Sequence, residues 1–213
     1  MSTEDFIKAI SQPSQASQNK YGILASVIIA QAALESGWGR FVPVDKHTGK
    51  KSFNLFGIKG EGPAGYVLHD TVEIIDGKPV MVEARFRAYH KWAESIEDHS
   101  LYLLSDRYLP VRQAADYREA ARRLQDLGYA TDPEYSSKLI RIIEEHRLYQ
   151  FDIPPGPFPD VPSVHWAARA VAALKNAGVI RGGSDGLFRG DSPATRYEVA
   201  VMLYNLMKLY QKN

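Results

Sequence analysis

The chain has 213 residues, 45% hydrophobic and 24% charged, enough for one well-cored domain of about 150 residues and a small appendage. A formal net charge of +1 argues against a general nucleic-acid binder, and the absence of cysteine excludes disulfides and thiolate chemistry. Six scattered histidines lack HExxH or comparable ligand spacing, so neither a metal site nor a cofactor is expected.

Thr3 is placed to cap a short helix through Ile10, and Ser11 to Asn19, with Pro13, reads as a polar connector. Met1 to Asn19 lacks a cleavable secretion pattern, so export by an ordinary signal is not expected. The segment from Tyr21 to Leu34 is apolar on every face of a helical wheel, interrupted by Ser26 and Gln31, and predicts a helix through the middle of a core. It is too short, and Gln31 too polar, for a membrane span, so no membrane insertion is expected. Glu35 follows Gln31 and Ile28 at spacings of four and seven, and Gly37 stops the helix just beyond it. Partial burial and the negative end of the helix dipole both push its pKa up, as a general acid for glycosidic cleavage requires. A structural carboxylate bonded to a backbone amide or an arginine is equally compatible with this stretch.

Val42 to Lys51 reads as a basic loop, and Phe53 to Gly60 opens an irregular lobe. Thr71 to Phe86 is a hairpin signal with Asp76-Gly77 as its turn. A two-residue loop pairs Ile75 with Lys78 and Glu73 with Val80, which sets Glu73 on the face of Val82, Ala84 and Phe86, with Glu83 on the other. A carboxylate on that apolar side has a reason to be there if the face lines a cleft; a one-residue slip returns it to solvent. Amphipathic helices are predicted over 91–105 and 116–127, and Asp132-Pro133 opens a last helix through about Tyr149.

The proline-rich run 152–159 reads as an extended linker between a domain at 1–151 and a unit at 160–213. That unit is predicted as a helix over 163–177, a glycine-rich loop and a helix over 195–209. From Pro154 onward seven basic side chains face four acidic ones, leaving +3 there and −2 in the rest, a balance that suggests an anionic polymer as partner.

AALESGWG, NLFGIK, FRAYHKWAESIEDHS and GYATDPEYSSKL, in that order over roughly residues 3–150, together resemble the glucosaminidases of glycoside hydrolase family 73. The resemblance implies a mainly α (α+β) fold, a lysozyme-like helical domain with a small β lobe. It implies endo-β-N-acetylglucosaminidase activity on peptidoglycan glycan strands, cleaving the β-1,4 bond after N-acetylglucosamine. By motif position it implies catalytic roles for Glu35, Glu73 and Tyr129, and substrate contacts at Trp38, Asn54, Phe56 and Tyr89. Phe158, Asp160-Val161, His165-Trp166, Gly178-Val179-Ile180 and Thr195-Arg196-Tyr197-Glu198 resemble a surface-layer homology (SLH) module. That similarity implies binding to an anionic secondary cell-wall polysaccharide, with Arg196 contacting the acid and Asp160 and Trp166 shaping the site. A structural role for Arg196, pairing with Glu198 or capping a helix, stays open. Such modules usually come in threes, so either three chains assemble a homotrimer or binding is monovalent. A catalytic domain joined to a wall anchor without a secretion signal resembles a phage endolysin released at lysis. A muramidase or lytic transglycosylase on the same fold, and a non-catalytic wall-binding protein, are the rival readings.

Overall fold

The computed structural model describes residues 1–152, 156–161, 163 and 165–210, so Ile153 to Pro155 of the predicted linker lie outside the described residues. The chain divides into two compact units, 1–18 with 23–152, and 19–22 with the residues beyond 152.

In the first unit α1 runs from Thr3 to Tyr21, and the polar connector expected after Ile10 is helical instead, with Pro13 inside it. Phe6, Ile10, Ser14 and Ser17, spaced four, four and three apart, are all buried. The hydroxyls are satisfied there: Ser14 Oγ donates to the Ile10 carbonyl at 2.8 Å, and Ser17 Oγ donates to Ser100 Oγ at 2.6 Å. Tertiary burial of a small-polar face outweighs the local cost of proline.

Helix α2, Ala25–Ser36, begins later than predicted because Gly22, at φ 77°, breaks the chain between the two helices. Every residue from Ala25 to Ala33 is buried. The helix packs against α5 (Tyr117–Asp126), α6 (Tyr135–Glu145) and the 3-10 turn Leu148–Phe151. Its first turn has no cap of its own and is closed from a distance: Asp152 accepts from Ser26 N at 2.8 Å and Ser26 Oγ at 2.7 Å, and Gln18 Oε1 accepts from Ala25 N at 3.0 Å. Its last turn ends as predicted at Gly37, in the left-handed region at φ 55°, whose N–H bonds the Ala33 carbonyl.

Strands β1 (Tyr66–Ile75) and β2 (Lys78–Arg87) form the antiparallel hairpin, longer than predicted but in the predicted register, with Ile75 opposite Lys78 and Glu73 opposite Val80. Asp76 and Gly77 have φ of 50° and 75°, the doubly left-handed turn that matches strand twist. Val67, His69, Thr71 and Glu73 are the less exposed side of β1, whereas Glu83 lies on the outer face and meets Lys46. Helices α3 (Trp92–Tyr102) and α4 (Leu109–Arg112), the latter not foreseen, complete this unit; Asp116 caps α5 by accepting from Glu119 N at 2.8 Å.

The second unit holds α7 (Ala168–Asn176) and α8 (Arg196–Tyr210), joined by the glycine-rich loop. Phe158, Val161, Ala168, Val171, Val179 and Ile180 form its small core, with Phe188, Met202 and Leu209 packed against it. Thr195 and Glu198 start α8 with a reciprocal capping box, in which Glu198 N donates to Thr195 Oγ1 at 3.2 Å and Thr195 N donates to the Glu198 carboxylate at 2.6 Å.

Candidate active site

Glu35 stands in the last turn of α2, one turn after Gln31. The residue is exposed, yet the protein around its carboxyl desolvates it and raises its pKa above the ordinary 4.5; a hydrogen bond from Tyr135 opposes the rise. Tyr135 Oη donates to Glu35 Oε1 at 3.1 Å and itself accepts from Gln31 Nε2 at 3.1 Å. A donor on Oε1 leaves the carboxylic proton to Oε2, the oxygen not bonded to Tyr135. The arginine or backbone partner that a purely structural Glu35 needed is not found among the described residues.

Tyr129 stacks on Tyr135 with ring centroids 5.6 Å apart. Burial first, then the Glu35 carboxylate, raises the pKa of the Tyr129 phenol, so it keeps its proton. Its hydroxyl lies 3.0 Å from His99 Nε2 on α3, and His99 in turn stacks on Phe56 at 3.9 Å with the rings 9° from parallel. Glu35, Tyr129 and Phe56 thus belong to one continuous array of side chains, joined through Tyr135 and His99.

Glu73 is on the half-exposed inner face of the hairpin and forms an ion pair with Lys59. The remaining expected substrate contacts are committed elsewhere. Asn54 is 1% exposed, and its amide is used up within the protein: Nδ2 donates to the Ile58 and Arg87 carbonyls at 2.8 and 3.0 Å, and Oδ1 accepts from Ile58 N at 3.1 Å. Tyr89 is buried and donates to Asp98 Oδ2 at 2.6 Å, an oxygen also held by Arg87. Asn54 braces the Phe53–Gly60 loop against β2, and Tyr89 ties the chain just after β2 to α3. Trp38 packs edge-on against Phe6 and His146, with centroids at 5.9 and 4.6 Å.

Tyr135 and His99 were not foreseen. Tyr135 lies 100 residues from Glu35 and His99 lies 30 from Tyr129, and nothing in local periodicity links such partners. The shared i, i+4 face of Gln31 and Glu35 was the one available hint that Glu35 belongs to a polar chain.

In the second unit, the Asp160 carboxylate accepts from Phe188 N at 2.8 Å and Arg189 N at 2.6 Å, so it ties the glycine-rich loop to the start of the module. Trp166 is 91% exposed, with the His165 ring 5.7 Å away. Arg196 is exposed and flanks a hollow with Val199, Ala200 and Leu203. Glu198, the partner considered for it, is engaged by Thr195 instead, and no ion pair holds Arg196 among the described residues. A groove of about 690 Å³ runs between the loop and α8, lined in part by Arg181, Arg189, Tyr197 and Glu198.

A helical body, a small hairpin lobe and a carboxyl of raised pKa at the end of a buried helix make up a lysozyme-like layout. The chain belongs to the glucosaminidase family, whose model, described as mannosyl-glycoprotein endo-beta-N-acetylglucosaminidase, matches residues 11–148. The S-layer homology domain model matches residues 157–200. The chain is 39% identical over 153 residues to the exo-glucosaminidase LytG of Bacillus subtilis, covering 69% of this chain and 52% of that protein. It is 38% identical over 145 residues to the peptidoglycan hydrolase FlgJ of Escherichia coli K12, covering 66% and 45%. The chain thus spans about half the length of these curated relatives. The catalytic domain of the autolysin Auto from Listeria monocytogenes matches with a TM-score of 0.63 at 38% identity, over 70% of this chain and 87% of that one.

Proposed function

We propose that the protein is a peptidoglycan hydrolase that cleaves the β-1,4 bond after N-acetylglucosamine, with Glu35 as general acid. The observation that carries this reading is the place of Glu35 at the end of a buried helix, where desolvation raises its pKa and, among the described residues, Tyr135 alone donates to it, on one oxygen. Such a group holds its proton to a higher pH than an ordinary carboxyl and delivers it to the leaving glycosidic oxygen as positive charge develops at the anomeric carbon. Glu73 is the second carboxylate, acting on the opposite side of that charge as base for a water or as its electrostatic partner. The neutral Tyr129 hydroxyl steadies the acetamido group next to the reacting carbon. Glu35→Gln should abolish turnover of purified peptidoglycan while wall pull-down stays at the wild-type level. Substantial residual turnover in that variant would remove Glu35 from the acid role.

The SLH module directs the enzyme to an anionic wall polysaccharide, with the exposed guanidinium of Arg196 meeting the acid and Trp166 stacking on a sugar face. No helix among the described residues is long and apolar enough to cross a membrane, and the module associates the chain with the cell wall. The surface of α8 supports assembly through it: none of its residues is buried, and Tyr197, Val201, Leu203, Tyr204 and Met207 are all exposed. One module buries too little to cover that face, and copies of the same chain cover it in a trimer. Sedimentation equilibrium over a range of concentrations should give three times the chain mass; a monomer at all concentrations contradicts assembly.

A further inference from the structure

We propose that His99 is a positioning residue that fixes the Tyr129 hydroxyl as a hydrogen-bond donor toward the acetamido oxygen of the sugar being cleaved. The proposal deepens the reading above and rests on Tyr129 acting in the site.

His99 is 1% exposed, and its ring is clamped flat against Phe56, so it has one orientation. One nitrogen, Nε2, lies 3.0 Å from Tyr129 Oη; the other, Nδ1, is buried with no partner among the described residues. Three states of the ring are available. The cation is disfavoured because burial holds the imidazole pKa down to about 3, against the pull of the neighbouring Asp98 carboxylate. Asp98 is itself bonded to Arg87 and Tyr89, which leaves it little reason to draw a proton onto His99.

The neutral ring has two tautomers. With the proton on Nδ1, an N–H donor is buried unmade, and Tyr129 must spend its own proton on Nε2. With the proton on Nε2, only an acceptor lone pair at Nδ1 goes unmatched, and His99 donates to Tyr129. Orphaned buried donors are rarer in proteins than under-satisfied acceptors, so the Nε2–H form is favoured.

The consequence falls on Tyr129. Its oxygen accepts from His99, so its own proton is free to point away from α3. Accepting one hydrogen bond polarises the phenol and strengthens the one it donates. The raised pKa of the phenol means that this proton is shared with a ligand rather than lost. An acceptor oxygen beside the anomeric carbon is held in place, whether it attacks that carbon or only shields it. Phe56 has a part in this: it sets the plane of His99, a role the sequence motif alone did not distinguish from direct sugar contact.

The test combines spectroscopy and kinetics on the full chain. ¹⁵N-detected NMR of histidine-labelled protein should show the His99 ring neutral and protonated at Nε2, unchanged between about pH 5 and 8. A ring protonated at Nδ1, or one that titrates in that range, overturns the proposal. His99→Phe keeps the stack on Phe56 and should lower kcat roughly tenfold with KM little changed, whereas His99→Gln, which retains a donor near Nε2, should recover part of the loss. In a Tyr129→Phe background, His99→Phe should cost nothing more; a further loss of the same size shows that His99 acts independently of Tyr129 and overturns the proposal. If Tyr129→Phe is itself fully active, both the site reading and the proposal fall, and that outcome is distinguished from the previous one by the single variant alone.

Discussion

At Glu35 two opposing effects set the carboxyl pKa. Desolvation raises the carboxyl pKa and the Tyr135 hydroxyl lowers it, with desolvation the larger. If Glu35 is the general acid it must be protonated, so kcat should fall as pH rises through this raised pKa. Tyr135→Phe deletes the opposing hydrogen bond and should move that basic limb to higher pH; movement to lower pH contradicts the balance described here. Stability follows the same proton. Between the ordinary value of 4.5 and the raised folded value, the folded state binds the extra proton, so stability falls as pH rises through that window. Glu35→Gln has no such loss, and its Tm advantage over wild type should grow as pH rises above 4.5 and level off once the raised pKa is passed, as thermal melts at a series of pH values would read. Glu35 was legible because its reason is local: a carboxylate at the end of an apolar helix. Tyr135 and His99 were not, since their significance exists only once distant segments meet. Asn54 was misleading for the converse reason, since a polar side chain in a loop motif looks free until its three backbone partners are seen.

Among the elements, the hairpin was the most readable. A two-residue Asp-Gly turn admits one register, and that register fixed which face carries Glu73. Helix α1 was half missed, because Ser14, Ser17 and Gln18 look like solvent residues and are buried against partners from elsewhere. Helix α2 was recognised from its apolar wheel, but its start was not, since the cap comes from Asp152, 126 residues away. That remote cap closes the helix whose other end presents Glu35. Asp152→Ala leaves Ser26 N without its acceptor and should cost about 1–2 kcal/mol, a drop of a few degrees in Tm. An unchanged melt would show that water serves the first turn as well as the carboxylate does.

For the whole molecule, the chain divides into two compact units, and we assign cutting to the first and holding to the second. Composition exposed this division early, through the proline-rich run and the basic balance beyond it. The exposed apolar face of α8 was not visible in sequence, because the same aliphatic and aromatic residues read equally well as a core. If the division is right, replacing Trp166 and Arg196 by alanine should weaken binding to intact walls and reduce its sensitivity to salt, while turnover of small soluble glycan fragments stays at the wild-type rate. Loss of turnover on soluble fragments would show that these residues serve the chemistry and not only the anchoring.

The most direct measurement is mass spectrometry of borohydride-reduced products after digestion of purified peptidoglycan, comparing wild type with Glu35→Gln. The account predicts new N-acetylglucosaminitol ends with wild type and none with the variant. Muramitol or anhydromuramic ends from the wild-type enzyme would contradict the bond assignment, and equal product from Glu35→Gln would contradict the assignment of the acid.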